Sequence, residues 1–401
     1  MSKIIEFQKK PKDQKKENNK KINKKKLAIV IAVATILLIV AIIFVVYSYN
    51  KAFRDFMDKY ILRKNITNEN VSVIEIDYDS NTNVIPYGRY ICILAENTLE
   101  QYNVSGKKEQ EVKVEINYPI YNVNGRYLVI GEKNSQKLYL ISGSHIVWEK
   151  KVDGNLTKVS VNKNGYVSAI VSGTSYKSVI ITYNEKGNEL FKSYLSNTIA
   201  VDSQISQDNN YLAYAEVNTS GTLIQSNIKI ISMKTAAEKD TKPEYTYTAP
   251  QNSLILRMKY QDKSRLVCMY DDSIHMIESK VDVKLMDLED NEKVTFGDCE
   301  LTDFIYRTVE QSTGLFSANT QVEIINITNQ KQNTYTVEGV AKSVASYNNI
   351  IAVNLGSEVD FINTNGWLVK RYISNQEVRN IVICDGLAGI IYRDKIEIVN
   401  L

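Results

Sequence analysis

Reaction chemistry needs side chains that carry a proton, a metal ion or a covalent bond, and among its 401 residues the chain has two His, four Cys and 46 carboxylates. His145 follows Gly143 in a turn, and its position predicts exposure to solvent. His275 sits within SIHMIE. Neither has a second His or a Cys at the short spacing of a zinc or copper site, so neither reads as a metal ligand. Cys92, Cys268, Cys299 and Cys384 are widely separated and form no C-x-x-C pair. Three of them (Cys92, Cys268 and Cys384) fall in apolar runs, where Cys behaves as a small hydrophobe. The pairing left open, outside the cell, is a Cys268–Cys299 disulfide. Asp271, Asp272, Asp287, Glu289, Asp290 and Asp298 form the densest acidic region. They lack the D-x-D-x-D alternation of a calcium loop and read as solvated loop. No G-x-S-x-G elbow and no glycine-rich phosphate loop occurs. These patterns assign no catalytic, cofactor-binding or metal-binding residue, and they imply no cofactor.

Tyrosine is the unusual residue, with 26 copies against nine Phe and two Trp. Tyr90, Tyr127, Tyr139, Tyr166 and Tyr183 lie inside strand-like runs, where packing explains them. Exposed Tyr, with rigid area and a polar tip, suits a binding surface, and a glycan is one ligand it could serve.

The element that positions everything else is the stretch Leu27 to Ser48, which has no charged residue. At ~1.5 Å per residue a helix of this length covers roughly the 30 Å of bilayer hydrocarbon. Before it, residues 1–26 carry eleven Lys and three acidic residues, a local charge of +8, with too little apolar content to fold alone. Lys24, Lys25 and Lys26 abut the apolar run, while Lys51 and Arg54 beyond it are interleaved with Asp55 and Asp58. The positive-inside rule then puts the N-terminus in the cytoplasm and the rest outside the cell. The run ends in Phe44, Val45, Val46 and Tyr47 without small residues of Ala-x-Ala type, so an uncleaved anchor is expected. A basic tail against a membrane span reads as a topology signal with affinity for anionic lipid, and no nucleic-acid partner is expected.

Phe53, Phe56, Met57, Tyr60 and Ile61 recur at helical spacing and predict a juxtamembrane stalk over 49–69. From residue 70 to 401 the texture is all-β: short runs rich in Tyr, Val, Ile and Thr, punctuated by Asn, Asp, Gly and Ser. One strand recurs, beginning at Arg89, Arg126, Gly165, Tyr211, Arg265, Gly314, Asn349 and Leu387. A period near 40 with four strands per unit is the mark of propeller blades. Hairpin turns follow at Gly106, Gly143, Gly187 and Gly366, where glycine supplies a positive φ. Residues 280–297 lack that turn and read as an insertion or a degenerate blade. The last unit has three strands, and the run Val71 to Asp77 is expected to supply its fourth, closing the ring. The count is eight blades, with seven as the alternative.

Apolar strand, Gly turn and then an aromatic residue (Gly143 and Trp148, Gly187 and Phe191) resembles the quinoprotein-like, or PQQ-like, propeller repeat, itself WD40-like in outline. The whole layout resembles a family of single-span, membrane-anchored proteins of low-GC Gram-positive bacteria. That resemblance implies the fold and no activity. Quinoproteins carry a Trp in most blades, whereas this chain has only Trp148 and Trp367, and residues for a quinone and its calcium are not found. The expected role is therefore a non-enzymatic interaction or scaffold module at the cell envelope, with an envelope protein as partner. The alternative is an envelope enzyme of quinoprotein type or a glycan-binding propeller.

Overall fold

The computed structural model describes residues 24–50, 71–76, 83–288, 292–312 and 317–401, with isolated positions between them. Residues 1–23, most of the expected stalk, and Glu289 and Asp290 lie outside the described residues. The chain divides into two compact units, 1–63 and 64–401.

In the first unit helix α1 runs over Lys24–Tyr49. Its segment Ile29–Tyr49 has a mean hydropathy of 3.5 and no buried side chains, and among the described residues it is the one helix long and apolar enough to cross a membrane. Its two aliphatic hydroxyls bond within the helix: that of Thr35 donates to Ile31 O and that of Ser48 to Phe44 O, each at 2.8 Å. These two hydroxyls need no water.

The second unit is an eight-bladed β-propeller. Blades 1 to 7 span residues 83–113, 119–151, 155–195, 199–248, 255–287, 293–338 and 343–373, each a meander of four antiparallel strands. Blade 8 takes three strands from 380–400 and its outermost one from Ser72–Glu75, which pairs antiparallel with Lys395–Asn400. The first strand of each meander lies on the ring axis. It runs from the end that carries the blade-to-blade connections (the connection end) to the opposite, turn end. Blade 7 has a fifth strand, Asn65–Ile66, parallel to Arg371 and Tyr372.

Strands buried on both faces explain the long apolar runs. Eight core clusters fill the ring, one between each pair of neighbouring blades; Leu128 and Ile130 of blade 2, for example, join Leu94 and Leu99 of blade 1. Each fully buried Leu or Ile contributes about 2 kcal/mol, so stability is spread around the circle.

Two expectations are corrected and one open pairing is decided. Gly314 lies in a loop; the second strand of blade 6 is Phe304–Ser312, which brings the repeat closer to regular. Residues 280–297 hold no extra blade: Val281–Asp287 is the outermost strand of blade 5 and Lys293–Asp298 the innermost of blade 6. The turn before them was hidden because Ser279 and Lys280, with φ of 50° and 63°, adopt the conformation usually left to glycine. Cys268 and Cys299 form no disulfide; all four thiols are free and buried.

Candidate functional site

The innermost strands of all eight blades surround an axial channel of about 640 Å³. Its two halves differ in backbone and in charge. In blades 3 to 6 the innermost strand slips register against the second, after Leu156, Ala200, Ile255 and Val294, whereas in blades 1, 2, 7 and 8 this pairing is regular. A bulge re-aims the side chains that follow it. The residues that resume the ladder in blades 3, 4 and 5 are Lys158, Asp202 and Arg257, and all three line the channel. Lys259, Asp298 and Glu300 complete the charged wall. The regular half contributes neutral residues, among them Pro86, Tyr121, Tyr347 and Val382.

The charges pair across blade boundaries. Lys158 Nζ lies 3.9 Å from Asp202 Oδ1, Arg257 Nη1 3.2 Å from Asp298 Oδ1, and Lys259 Nζ 2.5 Å from Glu300 Oε2. Asp202 is fixed on both sides: Oδ1 accepts from Ser203 N–H at 2.8 Å and Oδ2 from Met258 N–H of blade 5 at 2.8 Å. Burial pushes its carboxyl pKa up, opposed by Lys158 and these N–H donors. Burial likewise raises Asp298, with the Glu300 charge adding to it. The carboxylate beside Arg257 holds that guanidinium firmly protonated. Tyr121 keeps 41% of its surface accessible, yet burial raises its hydroxyl pKa. It is a side chain deep in the molecule that borders open space.

The structure scatters the acidic region read from the sequence. Asp298 reaches the channel. Asp271 accepts from Leu254 N–H at 2.7 Å and Asp272 from the Ser253 hydroxyl, while Asp287 pairs with Lys284 at 2.9 Å. His145 is exposed. His275 is buried in blade 5, its Nδ1 2.8 Å from Asp282 Oδ2, between the rings of Tyr247 and Tyr270. Cys268 stands opposite His275 in the ladder, so Cys268, His275 and Asp282 share one face of the blade. Burial drives the Cys268 thiol well above its ordinary range, and the side chain has no accessible surface. A nucleophile needs the thiolate and access, and Cys268 has neither.

Several tyrosines are staples between blades. The Tyr87 hydroxyl of blade 1 donates to Arg126 O at 2.6 Å and accepts from Gly143 N–H at 2.7 Å, both in blade 2. Tyr335 of blade 6 donates to Asp360 of blade 7 at 2.9 Å. Sequence reasoning missed the channel residues Lys158, Asp202 and Arg257. The signal available was their recurrence at equivalent points of successive innermost strands.

A second feature lies at the connection end. Tyr176, Tyr194, Ile199, Leu223, Ile224 and Leu256 are all exposed there on blades 3 to 5, with the Tyr176 and Tyr194 rings 4.7 Å apart.

Residues 62–401, the whole propeller with its approach segment, match a family of unknown function, DUF5711. The chain belongs to the DUF5711 family. Among curated proteins none matches. Among solved structures, BamB from Moraxella catarrhalis is similar over 83% of this chain and 99% of its own, with a TM-score of 0.50 and 12% identity. That likeness is one of fold. The β-propeller domain of Cps50 (Swd1) from Myceliophteria thermophila covers 82% of this chain and 99% of its own, with a TM-score of 0.45 and 10% identity.

Proposed function

We propose that this DUF5711 protein is a single-span membrane protein, N-terminus in the cytoplasm, whose propeller holds an envelope protein partner outside the cell without performing chemistry of its own. The observation that carries the reading is the set of apolar and aromatic side chains at the connection end of blades 3 to 5, where Tyr176, Tyr194, Ile199, Leu223, Ile224 and Leu256 are each exposed and the two Tyr rings touch. Apolar residues grouped in this way mark an interaction site, and Tyr is favoured in such surfaces. The anchoring is supported by the length and hydropathy of Ile29–Tyr49 and the orientation by the charge of +8 before it. The fold adds a rigid frame, since every blade is locked to two neighbours.

The test is in-cell photo-crosslinking of the full-length protein, with the crosslinking residue placed at Tyr194 or Leu223. Trp367 and Val281, exposed beside hairpin turns at the opposite end, serve as comparators. A discrete envelope protein captured from the first pair of positions and not from the second is the expected result. Capture from neither pair, or equally from both, overturns the reading.

A further inference from the structure

The channel goes beyond a partner-binding face. Its wall contains three Lys or Arg and three carboxylates, yet it does not present them equally. The Lys158 side chain is 40% exposed while its partner Asp202 is 2% exposed, and Arg257 is 51% exposed against 20% for Asp298. In these two pairs the carboxylate is turned into the wall and the cation into the lumen; in the third the order is reversed, with Lys259 18% and Glu300 40% exposed. Asp202 ties the two strands that carry these cations: one oxygen faces Lys158 of blade 3, and the other accepts from the backbone N–H of Met258, which follows Arg257 in blade 5. Arg257 engages Asp298 through Nη1. A guanidinium has five N–H donors in a planar fork suited to an oxyanion. Glu300, the exposed carboxylate, follows the end of its strand toward the turn end, so the positive section belongs to the bulged middle of the wall. Facing it, the regular half offers Tyr121, Tyr347 and Val382. The volume falls in the range of small-molecule sites, roughly 300–1,000 Å³.

We propose that the axial channel binds a small organic anion with an aromatic or apolar body, its single acid group held by Lys158 and Arg257 and its body laid on the Tyr121, Tyr347 and Val382 wall. The binding is non-covalent, and each half of the channel recognises one half of the ligand. A bare inorganic anion leaves the apolar wall unused, and a neutral arene leaves the cations without a partner.

The probes are 2-naphthoate and its neutral counterpart 2-naphthalenemethanol. They are titrated against the full-length protein in phosphatidylcholine nanodiscs and followed by saturation-transfer NMR, with empty discs subtracted. The expected result is saturable binding of naphthoate, at least tenfold weaker binding of the alcohol, and a loss of at least fivefold for naphthoate in Arg257→Gln and in Lys158→Gln. Arg257→Lys keeps the charge but not the fork and is expected to bind more tightly than Arg257→Gln and less tightly than the parent, which separates recognition from a folding defect. Absence of naphthoate binding, equal binding of the acid and the alcohol, or Gln variants that bind like the parent each overturns the proposal. These readouts do not involve the apolar face, so they stand or fall independently of partner capture.

Discussion

At the scale of single residues, the ionisable groups that matter join one blade to the next. Arg265 of blade 5 donates from Nε to Asp262 Oδ2 at 2.6 Å, and reaches Asp303 at 3.2 Å and the Thr328 hydroxyl at 2.9 Å in blade 6. Burial works against the Asp262 carboxylate, but the N–H groups of Ser264 and Arg265 and the guanidinium outweigh it and hold its pKa down at about 2, from an ordinary 3.8. A carboxylate depressed on folding contributes stability that is present above its unfolded value, near 3.8, and lost as pH falls through about 2. The group is partly exposed, so solvent screening reduces its worth to about 1 kcal/mol. Asp262→Asn is therefore expected to lower the urea midpoint at pH 6 and to match the parent increasingly closely between pH 4 and pH 2. A deficit that stays constant down to pH 2 would show that the charge plays no part.

At the scale of the element, the hairpin turns are wedges between blades as well as reversals of the chain. Gly187, with φ of 78°, turns the outer hairpin of blade 3 directly over Trp148 of blade 2, and an added Cβ would lie 2.8 Å from the indole Cγ. The same indole packs on Tyr183, with ring centroids 5.6 Å apart. At this boundary the glycine of one blade makes room for an aromatic ring of the blade before it, whereas Gly106 and Gly366 meet backbone of the preceding blade instead. Gly187→Ala combines a strained φ with a clash against a rigid ring, and is expected to destabilise by about 2–3 kcal/mol. Gly143→Ala, with nothing within 4 Å of the added Cβ, meets the φ penalty alone and is expected to cost about 1 kcal/mol. Chemical denaturation of the two variants side by side checks the difference.

At the scale of the whole molecule, the ring depends on joining its two ends. Ile76 N–H donates to Asp394 O at 3.0 Å, and two residues earlier Ile74 pairs with Ile396, which places Ile74 at a hydrogen-bonded position of the ladder. Its side chain is 5% exposed, between blades 8 and 1. Ile74→Pro removes both the ladder bond and the buried side chain, and is expected to cost about 3 kcal/mol or more. It also uncovers the edge of Lys395–Asn400, so aggregation should rise with it. Val73→Ser, on the outward side of the same strand, is expected to stay within about 0.5 kcal/mol of the parent. Urea titration together with light scattering reads both effects, and equal behaviour of the two variants would mean that closure contributes little.

What was legible in the sequence follows from periodicity. The uncharged stretch, the all-β texture, the eightfold repeat and the closing run before Asp77 are local patterns, because a strand buried on both faces must be apolar along its length and a hairpin must turn within a few residues. The repeat failed where locality failed: Ser279 and Lys280 make a glycine-like turn without glycine, and the strand Phe304–Ser312 was set ten residues late. The channel was not legible. Lys158, Asp202, Arg257 and Asp298 lie up to 140 residues apart, and the recurrence of the first three at equivalent strand positions is visible only once the strands and their bulges are placed. Only ring closure places four innermost strands around one axis, and only the bulges turn those side chains toward it. Sequence alone determined that there would be a propeller behind an apolar helix; the tertiary structure decided which charges meet, because their neighbours are set by blade-to-blade contact and not by order along the chain.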